Sequence, residues 1–322
     1  MGNAGLPDSR IERSMRDFKN ILVGVDLSQG DHFVSDELPP PSIEAIERAL
    51  WLAKLNSARL RFFYALDVSA ATQRMIAESQ GGEQSVLDQA KRVLGDLVER
   101  ARSENIDASL EVRFGKSWLE MIRLVMRDGH DLVVAGTRHL GAVRGFLMGS
   151  TGIKLLRLCP CPVWITQRRN GEEIKSVLVA HCLRPVGDLA MEYGCAMAEL
   201  NGAQLHVIHS LEFPKFDCKF PSVVSSAKAE ALRSEAQQHI ESQLKNFNFN
   251  QQPQVHIVTD PPDLAIMQHI EKCDIELLVM ATIAHTGIAG FLIGNTAERL
   301  LPQIPCSVLA VKPPEFVSPV SA

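Results

Sequence analysis

Residues 136–156, GTRHLGAVRGFLMGSTGIKLL, carry five glycines and reach Gly149-Ser150-Thr151 just before a helix-like run. Glycines let a backbone approach a ligand closely. N–H groups at a helix N-terminus, beside small hydroxyl residues, suit an anion such as phosphate. Asp26 follows the apolar run NILVGVD and is placed to accept hydrogen bonds from ribose hydroxyls or a base amine. The stretch has no Lys in a GKS or GKT context, so efficient phosphoryl transfer is not indicated. A plainer use of the same residues is a tight loop at Gly136, Gly141 and Gly145, with Ser150 and Thr151 as helix N-caps.

His181, Cys182, His206 and His209 form a second set with ligand chemistry. Cys182 and His209 each close a strand-like run, so the two side chains are expected near one another. Their spacing is that of no known zinc motif, and buried, inert Cys is commoner. No metal is assigned, and no catalytic triad or carboxylate pair stands out.

The elements that must position these residues are written twice. At an offset of 145 residues, residues 131–166 fall on 276–311 without a gap and thirteen of the thirty-six positions are identical. At the same offset LAKLNSARL pairs with MAELNGAQL. The first strand, KNILVGVD, matches KSVLVAHC at 156, which leaves an eleven-residue insertion in or near SQGDHFVSDELPPP. A period this long means two copies of a domain. Within a copy, short runs rich in branched residues alternate with helical patterns, among them SIEAIERALWLAKLNS with Ile43, Ile46, Leu50, Ala53 and Leu55 toward one face. Alternating β and α units with right-handed crossovers give an α/β fold, a parallel sheet covered on both faces. Ligands of such folds sit beyond the carboxyl ends of the strands, at the switch in strand order. That puts Asp26, Ala65, Gly115 and Gly136 at the positions to inspect.

Composition excludes several classes. A net charge of −5 gives no electrostatic case for nucleic acid or an anionic membrane. Apolar runs are too short to span a bilayer, and the polar start MGNAGLPDSRIERSMRDF has no signal-peptide core. Seven cysteines without a CxxC pair read as reduced thiols, and a cytoplasmic location is expected.

At the glycine-rich stretch the chain resembles the universal stress proteins, whose ATP-binding branch carries Gly, two residues, Gly, nine residues, Gly, then Ser or Thr. Gly136, His139 and Gly149-Ser150 follow that pattern with His139 in place of the second Gly. PCPVWIT is similar to the family's closing strand, and the resemblance covers both halves in the tandem, E-type manner. It implies two doubly wound, Rossmann-like domains forming an internal pseudo-dimer, with the last strands CPVWIT and CSVLAVK paired antiparallel. The expected limits are an N-terminal extension at 1–17, domains at 18–167 and 168–313, and a tail at 314–322. The implied ligand is ATP or a related nucleotide, with Mg²⁺ as an optional companion and slow hydrolysis at most. Its site would be Val25, Asp26, Ala65, Gly136, Arg138, His139, Gly149, Ser150 and Thr151. In the second copy Cys182 replaces Asp26, Ala281 and Ala284 replace early glycines, and Asn295 replaces Ser150, where Asn295 with Glu298 reads as a capping box. That copy is expected to have lost nucleotide binding. Its corner of Cys182, Ser210, Ala281, Ile283, Ala284, Gly294, Asn295 and Thr296 is instead suited to a small apolar or acylated ligand, or to structural pairing, including a homodimer. The outputs implied are survival under starvation, oxidative or DNA-damaging stress, and effects on motility or adhesion.

Overall fold

The apolar run after Lys19 forms strand β1 (Asn20–Gly24), in which Ile21, Leu22 and Val23 are all fully buried. Burial on both faces is what a central parallel strand requires. The computed structural model describes residues 18–29, 32–78, 82–139, 146–167, 173–211, 226–282 and 294–321, and the backbone alone at Ala70, Glu83, Arg138, His139, Phe146, Leu147 and Ser226. The first half continues with α1 (Pro40–Asn56), β2 (Arg59–Leu66), α2 (Ala70–Glu78), α3 (Gly82–Ser103), β3 (Ala108–Phe114), α4 (Ser117–Asp128) and β4 (Leu132–Gly136). A short hairpin, β5 (Arg138–His139) with β6 (Phe146–Leu147), precedes α5 (Ser150–Leu158) and β7 (Val163–Thr166). The second half repeats the plan as β8 (Ser176–Ala180), α6 (Pro185–Asn201), β9 (Gln204–Ser210), α7 (Ser226–Leu244), β10 (Gln254–Val258), α8 (Pro262–Lys272), β11 (Leu277–Ala281), α9 (Asn295–Leu300) and β12 (Ser307–Val311).

All strands except β5 and β6 join one sheet in the order β3-β2-β1-β4-β7-β12-β11-β8-β9-β10. Every neighbouring pair in it is parallel except β7 with β12, which run antiparallel with Trp164 opposite Leu309. The expected pairing of last strands is therefore present, and each half hides the other's edge. Two tandem doubly wound sheets form an internal pseudo-dimer. Trp164 at the seam is 1% exposed, so the joint is core rather than surface contact.

The repeat extends to how the strands are held. Asp131 accepts the backbone N–H groups of Lys19 (2.6 Å) and Asn20 (3.0 Å) at the start of β1. Glu276, its counterpart, accepts the N–H of Lys175 (2.6 Å) before β8. Two details differ from the sequence reading. Ile43 and Leu55 are exposed, while Ser42, Ala45, Ala49 and Leu52 join Ile46, Leu50 and Ala53 inside, because small residues let α1 lie close on the sheet. The helix α2 lies outside the elements read from the sequence: it is short, and tertiary contact with α3 supports it.

Candidate functional site

A cavity of about 390 Å³ opens at the carboxyl ends of β1, β2 and β4, where the strand order switches. That size lies within the usual range for small-molecule sites. It is lined by Val25, Asp26, Ala65, Gly136 and Thr151 among the expected residues, with Phe33, Tyr64, Met121 and Thr137 in addition. Val25 donates its N–H to the Phe63 carbonyl (2.9 Å) and buries its side chain, so it offers the site backbone only.

Asp26 is fixed by its neighbours. Its N–H donates to Ser42 Oγ (3.0 Å), and the Ser42 hydroxyl donates to the Asp26 carbonyl (3.1 Å), which ties the loop to the first turn of α1. Oδ1 accepts from the Ser28 N–H (3.0 Å) and hydroxyl (2.6 Å). Oδ2 has no hydrogen-bond donor among the described residues. The eleven-residue insertion walls one side: the Tyr64 hydroxyl donates to the Phe33 carbonyl, and Phe33, Ser28 and Pro39 line the cavity. Burial raises the Tyr64 pKa, with the nearby charge of Asp26 adding to it. The phenol therefore stays protonated as a donor.

Several expected roles change. A Cβ on Gly136 would lie 2.3 Å from the Pro41 carbonyl oxygen, so close packing of α1 already accounts for this glycine. Gly149, not Ser150 or Thr151, occupies the N-cap of α5, and no side chain caps it. The first turn of α5 thus keeps N–H groups without a side-chain cap. Thr151 reaches the cavity lining, whereas Gly149 and the exposed Ser150 do not. The side chains of Arg138 and His139 lie outside the described residues, as do Gly141 and Gly145; the backbone of Arg138 pairs with Leu147 and that of His139 with Phe146.

A second cavity, about 760 Å³, occupies the corresponding corner of the other half. Cys182, Ser210, Ala281, Gly294, Asn295 and Thr296 all line it, while Ile283 and Ala284 lie outside the described residues. A Cβ on Gly187 would meet Cys182 Sγ at 2.9 Å. Gly187 stands where Ser42 stands in the first half, so the Asp-plus-Ser arrangement is replaced by a thiol lying over a glycine. Burial pushes the Cys182 pKa up. The capping box does not form: Gly294 is the N-cap, Asn295 is one residue too far on, and the Glu298 N–H donates to the Gly294 carbonyl (3.0 Å). The Ser210 hydroxyl donates to the Asp260 carbonyl (2.5 Å), which directs it along the rim.

The two cavities differ in charge. Asp26 and Asp67 are the charged residues lining the first, and Arg184 is the cation lining the second. Thr137 and Thr282 occupy matching places in the two linings, each with a buried hydroxyl that has no partner among the described residues. The sequence reading passed over both, although this Thr is one of the thirteen identities of the repeat. The set of His181, Cys182, His206 and His209 does not gather. Side chains alternate along β9, so His206 and His209 face opposite sides of the sheet. His209 Nδ1 meets the His181 carbonyl (2.9 Å), and His181 Nε2 lies 3.3 Å from Asp188 Oδ1.

The model of the universal stress protein family matches this chain twice, over residues 17–167 and 173–312. The chain belongs to the universal stress protein family. Universal stress protein E of Photorhabdus laumondii is 23% identical over 330 residues, spanning 96% of this chain and 99% of the relative. Universal stress protein E of Escherichia coli is 23% identical over 324 residues, covering 94% and 96%. The crystal structure of a candidate universal stress protein from Pseudomonas aeruginosa superposes with a TM-score of 0.70 at 23% identity, over 94% of this chain and 95% of that one. This universal stress protein is accordingly of the tandem type, similar to universal stress protein E along nearly its whole length. No helix among its described residues is long and apolar enough to cross a membrane.

Proposed function

We propose that the first half of this universal stress protein holds ATP or a related nucleotide as a signal rather than a substrate. Residues 18–167 are then the nucleotide unit and 168–313 its diverged partner. One observation carries the reading: Asp26, held at the switch point by Ser28 and Ser42, keeps a carboxylate oxygen free in a cavity that also reaches Thr151 at the uncapped start of α5. The acidic end suits the hydroxyls and amine of a nucleoside, and the helix N-terminus suits the phosphates. The glycine-rich stretch has no Lys in a GKS or GKT context, which favours holding over turnover.

Titration calorimetry with ATP, with and without Mg²⁺, is expected to give one site per chain. Asp26→Ala removes a charged acceptor and is expected to weaken binding about ten- to a hundredfold. Saturable binding that Asp26→Ala leaves unchanged would overturn the placement, and no saturable heat would overturn the nucleotide reading.

The second cavity favours a different ligand. It is about twice as large, with Ile208, Leu232, Ile266 and Met280 on its wall, and Arg184 is its charge. A carrier or sensor role for an acylated anion fits, with the tail on the apolar wall and the head at Arg184. Native mass spectrometry of the purified chain is expected to show an acyl compound whose occupancy falls in Arg184→Ala. Bare protein that also takes up no added fatty acid would sink this second reading.

A further inference from the structure

The imidazoles that failed to gather at the second cavity gather elsewhere. His206 on β9 and His256 on β10 lie on one face of the sheet, two residues apart in register, since Gln254 pairs with His206 and His256 with Ile208. Helix α8 packs over that face and brings His269, with Cys273 four residues on at its C-terminal cap. One-turn spacing puts His269 and Cys273 on the same side of the helix. Ligand atoms of His206, His269 and Cys273 all lie within 4.8 Å of one another. The His256 ring centre is 4.1 Å from that of His269 and 5.8 Å from that of His206.

We propose that His206, His256, His269 and Cys273 bind a divalent transition-metal ion of the zinc type, fastening the edge strand β10 and its neighbour β9 to helix α8. Nδ1 of His206 and Nε2 of His256 and His269 are all buried without a hydrogen-bond partner among the described residues. Three such nitrogens, on rings whose centres lie 4.1, 5.8 and 6.1 Å apart, are costly unless a common partner satisfies them. Imidazole nitrogen and thiolate sulfur are both donors that zinc takes in four-coordinate sites. A tetrahedral ion with bonds of about 2.0–2.3 Å needs donors about 3.3–3.8 Å apart, so metal binding requires donors that lie within 4.8 Å of one another to draw closer. Lys272 beside His256 and His269 opposes a cation, and the Cys273 thiolate formed on metal binding offsets it.

The neighbouring group of His181, Asp188 and His239 is differently arranged. His181 Nδ1 accepts the Leu183 N–H (3.0 Å), His239 Nε2 sits 3.0 Å from Asp188 Oδ1, and the Gln243 amide donates to the same oxygen (2.5 Å). Its donors are already engaged with one another. Helix α8 also lines the second cavity through Pro262, Ala265 and Ile266, so an ion at its other end would steady that wall.

The test uses the full chain, stripped with chelator and titrated with Co²⁺, whose thiolate complexes absorb in the near ultraviolet. One equivalent is expected to produce that band, and Zn²⁺ to abolish it by displacement. Cys273→Ser is expected to lose the band, and His269→Asn to weaken binding beyond the about 10–100-fold typical of outer-shell changes. Zn²⁺ is expected to raise the unfolding temperature of the wild type and not of Cys273→Ser. If Cys273→Ser does not fold, His256→Gln, at a half-buried position on the edge strand, is expected to weaken Co²⁺ binding in the same way. Three results would overturn the proposal: no binding, a thiolate band that survives in Cys273→Ser, or binding without such a band, which would place the ion at Asp188.

Discussion

Gly136→Ala is expected to lower the unfolding free energy by about 3 kcal/mol, the upper end for overpacking in a close-packed interior. The added Cβ would lie 2.3 Å from the Pro41 carbonyl oxygen and 2.6 Å from its carbonyl carbon. Both are backbone atoms in the first turn of α1, and proline fixes the local φ, so no rotamer change relieves the clash. Gly24→Ala is the informative contrast: its Cβ would meet the terminal methyl of Met121 at 2.7 Å, a group that can swing away. A cost below about 1 kcal/mol is expected there, since methionine adapts. Urea unfolding of both variants checks the pair. If Gly136→Ala unfolds like the wild type but no longer binds nucleotide, the glycine serves the ligand and not the helix.

Lys312→Met is expected to stabilise the chain by about 3 kcal/mol at pH 7. Lys312 follows β12 at the seam between the halves, 4% exposed, and its Nζ has no hydrogen-bond partner among the described residues. Burial lowers its pKa from 10.5 to about 8, against the opposing pull of the Cys159 and Cys161 thiols. Below about pH 8 the ammonium is charged in both folded and unfolded chains, so the cost of burying it is carried in full. Between about 8 and 10.5 the folded chain loses that proton first, and stability rises with pH. The advantage of Lys312→Met should therefore shrink as pH climbs through that window. Urea midpoints at pH 7 and pH 9.5 measure it. A variant less stable than wild type at pH 7 would mean that the ammonium's partners, the Phe316 ring 5.6 Å away or a thiolate of the Cys159–Cys161 couple, outweigh the cost of its burial.

Much of this architecture is legible in the chain before folding is considered. Hydrophobic periodicity is local, and the repeat reports it twice, so element order and the parallel sheets follow from residues near one another in sequence; the antiparallel seam, which joins Trp164 to Leu309, was implied by the family resemblance. The glycine-rich stretch and Asp26 likewise point to the carboxyl ends of the strands, and a cavity stands there. What the tertiary structure alone decided depends on residues distant in the chain. Gly136 looks like a phosphate contact until Pro41 is seen against it, and Cys182 looks like a simple loss of Asp26 until Gly187 is found to make room for its sulfur. His206 and His209, three apart in sequence, are sent to opposite faces by the alternation of a strand. Register and a crossover helix bring His206 instead to His256, His269 and Cys273. Spacing along the chain sets which residues share a face, but only the packed sheet sets which faces meet.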